Sequence, residues 1–208
     1  MKIFWEKDAL YKFRPDKKYV VYFLGCFCPP HRGHFSQVRD LVKHRNVRVI
    51  VDQIGSSQRH GVPFRLNRKI WKIFIEELLP RERVSLISSE SVFDVCDHKF
   101  VRDCDFFVIV RGYENDTSRR EMEKLIYENT RELRHAIEPR GIKCDVYLTE
   151  RESVSYLSAT ELIRKVVKYR NMPMNVKYHK IDYFLPDGLK EETVKFIIKN
   201  LERCDLKV

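Results

Sequence analysis

The sequence predicts an α/β fold, a five-stranded parallel sheet with helices on both faces. Short apolar, β-branched runs alternate with longer stretches whose apolar residues recur at helical spacing. Parallel neighbours need crossover connections, and the intervening helical stretches supply them. The most informative motif falls where the first strand runs into a helix, and in such sheets sites lie beyond the carboxyl ends of the strands.

The elements follow in order. Residues 1–18 read as a charged lead-in to the sheet, with Trp5 as packing. Tyr19-Val20-Val21-Tyr22-Phe23-Leu24 is the first strand, and His34 to His44 a helix with Phe35, Val38, Leu41 and Val42 at helical spacing. Val47 to Val51 is the second strand. Asn67 to Leu79 is a helix with Ile70, Ile73, Phe74 and Leu78 on one face, stopped by Pro80. Val84 to Ile87 and Phe106 to Val110 are strands three and four. Arg119 to Ile137 reads as one long charged helix before Pro139 and Gly141, its charges a solvent face with i,i+4 pairs. Cys144 to Leu148 is the fifth strand, and Ala159 to Tyr169 and Lys190 to Leu201 are closing helices. No repeat or low-complexity linker interrupts the pattern, so 1–208 reads as a single domain, 170–208 being a C-terminal helical extension.

With 208 residues, 43% of them hydrophobic, the chain can bury one core of good size. No stretch of about 18 apolar residues exists to span a membrane. Met1-Lys2-Ile3-Phe4-Trp5-Glu6-Lys7-Asp8 carries acids too early for a signal peptide. Six cysteines without framework spacing suggest reduced thiols and a cytoplasmic location. The net charge of +10 favours anionic partners. Nucleic acid would satisfy it, and so would a triphosphate with a phosphorylated co-substrate.

Gly25-Cys26-Phe27-Cys28-Pro29-Pro30-His31-Arg32-Gly33-His34 joins the first strand to the first helix. Strand, glycine, prolines, then helix aims backbone N–H groups and a positive helix end at an anion. His31 and His34, three apart, can share one face of the first turn. An imidazolium can donate to a phosphate oxygen, and Gly33 leaves space for a nucleotide to approach. A plain proline turn with two surface histidines is the bland alternative. Cys26, Cys28, His31 and His34 also form C-x-C-x2-H-x2-H, but the cysteines lack finger spacing and no second CxxC completes a finger. Zinc is not expected, and no residue is assigned to a metal. His98, His135 and His179 read as solvated.

Gly25, Phe27, Pro29, His31, Gly33 and His34 resemble the G-x-F-x-P-x-H-x-G-H signature of the nucleotidyltransferase superfamily, matching all six defining positions. The resemblance implies a Rossmann-like, doubly wound sheet and transfer of a nucleotidyl group with release of pyrophosphate. His31 and His34 would be catalytic, with Gly25, Cys26, Phe27 and Gly33 at the nucleotide. The family's second signature, I-S-S-T-x-x-R, is similar to Leu157-Ser158-Ala159-Thr160-Glu161-Leu162-Ile163-Arg164. It implies that Ser158 binds nucleotide and that Thr160 and Arg164 hold the leaving pyrophosphate. The arginine stands four after the threonine, not three, which turns it by about 100° on a helix; Lys165 is a substitute candidate.

Between the signatures, Ile54-Gly55-Ser56-Ser57-Gln58 with His60 and Pro63-Phe64 is similar to a segment of archaeal-type nicotinamide mononucleotide adenylyltransferases. Ser56, Ser57 and Gln58 would then bind the acceptor, and Trp71 is a candidate to stack on a nicotinamide ring, although a helix-embedded tryptophan is more often core. Tyr183-Phe184-Leu185-Pro186-Asp187 looks like the Y-L-x-P-D ending of bacterial enzymes with that activity. Val110-Arg111-Gly112 instead resembles the V-R-G of phosphopantetheine adenylyltransferases and implies that Arg111 binds nucleotide. The expected function is adenylyl transfer from ATP, with magnesium carried on it, to a phosphorylated acceptor, nicotinamide mononucleotide first. Phosphopantetheine, or a CTP-dependent reaction on a phosphorylated alcohol, is the alternative, and a non-catalytic nucleotide- or nucleic-acid-binding relative ranks third. The expected partners are small-molecule nucleotides and further copies of the chain in a homo-oligomer. Membrane and nucleic acid are not expected partners.

Overall fold

The computed structural model describes residues 1–6, 8, 10–54, 59–113, 118–150 and 158–207. They fold into two compact units, one of Met1–Gly25, Leu41–Ile54 and Arg83–Glu152, the other of Cys26–Asp40, Gly55–Glu82 and Ser153–Val208.

The first unit is built on an all-parallel sheet of six strands: β1 (Ile3–Trp5), β2 (Tyr19–Gly25), β3 (Val47–Gln53), β4 (Val84–Ile87), β5 (Phe106–Tyr113) and β6 (Lys143–Glu150), in the order β1-β6-β5-β2-β3-β4. The chain lays β3 and β4 to one side of β2, then β5 and β6 to the other. Tyr22 stands level with Ile50 on β3 and Ile109 on β5. Alternation along the strands sends Val20, Tyr22, Ile50, Phe107, Ile109, Cys144, Val146 and Leu148 into one core with Trp5. The alternate residues Val21, Phe23, Val49, Val51, Val108 and Val110 are buried as well, which explains the near-continuous apolar runs.

The sequence led us to expect five strands; β1 is the sixth. It pairs with β6 through Ile3 and Val146, Phe4 and Tyr147, and Trp5 and Leu148. Asp145 fixes this edge by accepting from the Lys2 N–H at 2.9 Å and the Tyr11 hydroxyl at 3.1 Å. Three apolar residues are too few for periodicity to reveal.

Three helices complete the core of this unit: α3 (Val92–Cys96), α4 (Arg119–Asn129) and α5 (Arg131–Ile137), which contribute Val95, Cys96, Ile126, Leu133 and Ile137. The expected single helix over 119–137 is therefore two. Thr130, buried at 4% exposure, donates its hydroxyl back to the Ile126 carbonyl at 2.7 Å and sits at φ −101°, ψ 0°. Such a back-bond bends a helix. His98 is half-buried, not solvated: Nε2 meets Ser85 Oγ at 3.0 Å and Nδ1 accepts from the Phe100 N–H at 3.1 Å. Burial holds its imidazole below its usual range.

The second unit is helical: α1 (Arg32–Leu41), α2 (Phe64–Leu78), α6 (Ala159–Tyr169), α7 (Met174–Ile181) and α8 (Glu191–Glu202). α2 begins three residues before the sequence suggests, because Pro63 supplies an extended N-cap at φ −63°, ψ 142°. Leu79, held extended before Pro80, ends it. Helices α6, α7 and α8 pack together through Leu162, Val166, Ile181, Ile197 and Leu201, all fully buried. Thr193 Oγ1 donates to Glu77 Oε1 at 2.8 Å, tying α8 to α2. Among the described residues no helix is long and apolar enough to cross a membrane.

Candidate active site

In the second unit, Cys26 to His31 form a tight turn before α1. Phe27 takes φ +43°, and the Cys28–Pro29 peptide is cis. α2 anchors the turn from below: Asn67 Nδ2 donates to Cys28 Sγ at 3.1 Å, and the thiol donates to the Val62 carbonyl at 3.6 Å. Cys28 and Asn67 are both buried, whereas Cys26 is exposed. The Phe27 ring stands edge-on to both Trp71 (5.3 Å between centroids) and His34 (5.1 Å).

Above this floor the two histidines meet, their ring centroids 3.9 Å apart and tilted by 40°. His31 is 7% exposed, and burial pushes its imidazole down to about 4. His31 Nδ1 accepts from the Gly33 N–H at 3.1 Å. The ring proton therefore sits on Nε2, which is left as the donor. The imidazolium expected at His31 is corrected to a neutral imidazole N–H. Between the histidines, Arg32 reaches to the 183–187 segment. Its Nε donates to the Leu185 carbonyl at 2.9 Å, a terminal nitrogen pairs with Asp187 at 2.7 Å, and the guanidinium lies 4.9 Å from the Tyr183 ring. The Tyr183-to-Asp187 motif is thus a support of the histidine turn.

The second signature opens α6 in the same unit. Ser158 is the N-cap, accepting from the Glu161 N–H at 3.1 Å. Thr160 Oγ1 lies 3.3 Å from His60 Nε2, and His60 Nδ1 lies 3.1 Å from the Lys207 carbonyl. A carbonyl only accepts, so Nδ1 carries the proton and Nε2 receives the threonine hydroxyl. Arg164 is 57% exposed and ion-paired with Glu161. Ile163, three after the threonine, is fully buried. An arginine at that position would face the core. Lys165 is half-buried.

Trp71, a candidate to stack on an acceptor ring, is corrected: it is fully buried against Phe27 and Phe74. Ser56, Ser57 and Gln58 lie outside the described residues. His60, Arg32 and Asn67 are contributors to which motif matching gave no role. His60 stands in the segment similar to the archaeal-type enzymes, and Arg32 inside the Gly25-to-His34 stretch.

The first unit carries a cavity of about 350 Å³ lined by the carboxyl-terminal halves of β2 and β5 and by Ser89, Ser91, Asn129 and Glu132 among others, with Leu24 and Arg111 in its wall. Gly25 ends β2 beside it, its carbonyl accepting from the Ile54 N–H at 3.2 Å. Asp52, wholly buried, takes the Tyr22 hydroxyl at 2.6 Å and the Ser89 N–H at 3.0 Å, and also pairs with the Ser89 hydroxyl. Burial first, and then this bond, push the Tyr22 phenol well above its usual range. Among the described residues lining the cavity, Tyr22 is the one aromatic ring.

No group of three or more His, Cys, Asp or Glu among the described residues is arranged to hold a metal ion. No family model matches the chain, and no curated protein matches it.

Proposed function

We propose that this chain is a nucleotidyltransferase that moves an adenylyl group from ATP to a phosphorylated acceptor and releases pyrophosphate. The observation that carries the reading is the His31–His34 pair, its ring centroids 3.9 Å apart on the turn into α1 with His31 Nε2–H left as a donor. An acceptor phosphate oxygen attacks the α-phosphorus in line. The bond from that phosphorus to the bridging oxygen breaks, and pyrophosphate leaves with the electron pair. Positioning and cancellation of developing charge drive such reactions. A neutral N–H donor suits the role because it bonds a phosphate oxygen with no proton transfer. Ser158 and the start of α6 face the departing phosphates in this reading, with Thr160 and Arg164 as their side-chain ligands. Magnesium arrives on the triphosphate, keeping several of its waters.

The reversal of strand order at β2 supports reading the sheet as doubly wound and Rossmann-like, with Arg111 at the edge where such folds bind ligands. Nicotinamide mononucleotide is the acceptor that the Gly55-to-Gln58 resemblance names. A second reading, with phosphopantetheine or a phosphorylated alcohol as acceptor, is favoured by one observation. Among its described lining residues the Arg111 cavity offers a guanidinium, hydroxyls and apolar walls, and its one ring, Tyr22, is buried at 5% exposure.

Pyrophosphate release from a matrix of ATP and CTP against nicotinamide mononucleotide, phosphopantetheine and phosphorylated alcohols tests the proposal. One pair should turn over, and His34→Ala should lower its kcat at least about a hundredfold, roughly 2.7 kcal/mol, with triphosphate affinity changed much less. Release from no pair, or turnover indifferent to His34, overturns it.

A further inference from the structure

The amino edge of the sheet carries a second cavity, of about 300 Å³, wholly within the first unit. That volume stands at the lower end of the range for small-molecule sites, about 300–1,000 Å³. Lys18 and Arg45 line it just ahead of β2 and β3, Arg48 lines it from β3, level with Val20, and Phe100 and Cys104 line it ahead of β5. Lys18, Arg45 and Arg48 are exposed, and among the described residues none of them is ion-paired with a carboxylate. Asp105 is already committed to Lys17 at 3.9 Å and to the Lys18 N–H at 2.8 Å. Asp103 is the one acid among the described lining residues, so three cations meet one carboxylate. Gathered like charges are unfavourable until an anion joins them.

We infer that this cavity binds a small phosphate monoester, its phosphate among Lys18, Arg45 and Arg48 and its organic body against Val20, Phe100 and Cys104. Such a phosphate carries about −1.5 to −2 charges at pH 7, which matches the surplus of cations. Guanidinium groups offer phosphate oxygens paired N–H donors, and these charge-assisted bonds are the strong ones. The backbone beneath the cations is fixed in advance. Asn46 Nδ2 donates to the Arg14 and Lys17 carbonyls at 2.7 and 2.6 Å, and the Asn46 carbonyl accepts from the Tyr19 N–H at 2.9 Å. Arg48 is flanked on its strand by the fully buried Val47 and Val49, and its guanidinium lies 5.2 Å from the Phe100 ring centre. Val20 and Phe100 supply buried apolar wall. The Cys104 thiol donates to the Val101 carbonyl at 3.3 Å, and burial pushes it up to about 12, so the sulfur stays uncharged beside an anion. The site is independent of the histidine turn and of nucleotidyl transfer.

Phenyl phosphate is the probe, with inorganic phosphate and phenol as its two halves, followed by calorimetry and by the amide resonances of the full chain. In unsubstituted protein, phenyl phosphate should bind and shift the Lys18, Asn46, Arg48 and Cys104 amides. Inorganic phosphate should move the same amides but bind about tenfold more weakly, and phenol should leave them unmoved. Arg45→Gln and Arg48→Gln should each weaken phenyl phosphate about tenfold. Lys124→Gln, the same loss of charge on α4, should leave its affinity unchanged. No shift at these amides overturns the site, and so do equal losses from Arg48→Gln and Lys124→Gln, which would reduce the effect to the general field of the molecule. Inorganic phosphate or phenol binding as tightly as phenyl phosphate overturns the monoester as ligand. A single-stranded oligonucleotide that shifts these amides while phenyl phosphate does not overturns it in favour of a nucleic-acid face.

Discussion

His31 keeps 7% of its exposure, and the loss of water penalises its charged form down to about 4. The unfolded chain holds an ordinary histidine near about 6.5. Between these two values the unfolded state binds the proton and the folded state does not, so stability falls as pH is lowered through that window. The full effect is about 3 kcal/mol. Urea unfolding of wild type and His31→Gln from about pH 7 to about pH 4 should show the stability difference between them shrinking as pH falls. A constant difference would mean that His31 protonates over the same pH range in the folded and unfolded chains. The sequence identified the histidines and their spacing. It could not show their protonation, because that depends on Phe27, Trp71 and α2 closing beneath them.

Among the elements, α6 was legible to the residue: Ala159 to Tyr169 carries a capping serine, an apolar face and no breaker. The break between α4 and α5 was not, because Thr130 ends a helix only when burial turns its hydroxyl onto the Ile126 carbonyl. The link between His60 and α6 was equally hidden, since its partners stand 100 residues apart in sequence. Gly61 is the element-scale hinge of that link. Its φ of +74° suits glycine, and the Asp205 carbonyl fills the space a side chain would need. Gly61→Ala should cost about 1–3 kcal/mol in thermal unfolding and should speed amide exchange at Lys207, because the 205–207 segment is forced off. Unchanged protection at Lys207 would show that the segment is not held by this contact.

For the whole molecule, five of six strands were readable because parallel strands buried on both sides are apolar throughout. The charge balance was equally plain, and at +10 it should draw anionic ligands in from a distance. The association rate of a fluorescent triphosphate analogue, followed by stopped flow, should fall severalfold as salt rises from about 0.05 M to about 0.5 M. A rate indifferent to salt would confine the useful charge to direct contacts. The acceptor was the least legible part. Trp71 was chosen by residue type, and its burial depends on ring packing that no local pattern encodes.

The pairing of β1 with β6 also sets a timetable. β1 leaves the ribosome before the other five strands of this sheet, yet its hydrogen-bonding partner ends at Glu150, and Lys2 and Asp145 are 143 residues apart. Until Val146 to Leu148 have emerged Ile3, Phe4 and Trp5 have no β6 edge to join, whereas β2 can dock on β3 as soon as residue 53 emerges. Contacts this distant in sequence form late and slowly. A nascent chain stalled before Lys143 would therefore carry a tryptophan-bearing apolar segment still waiting for its neighbour, and such a segment is what a chaperone grasps or an aggregate recruits.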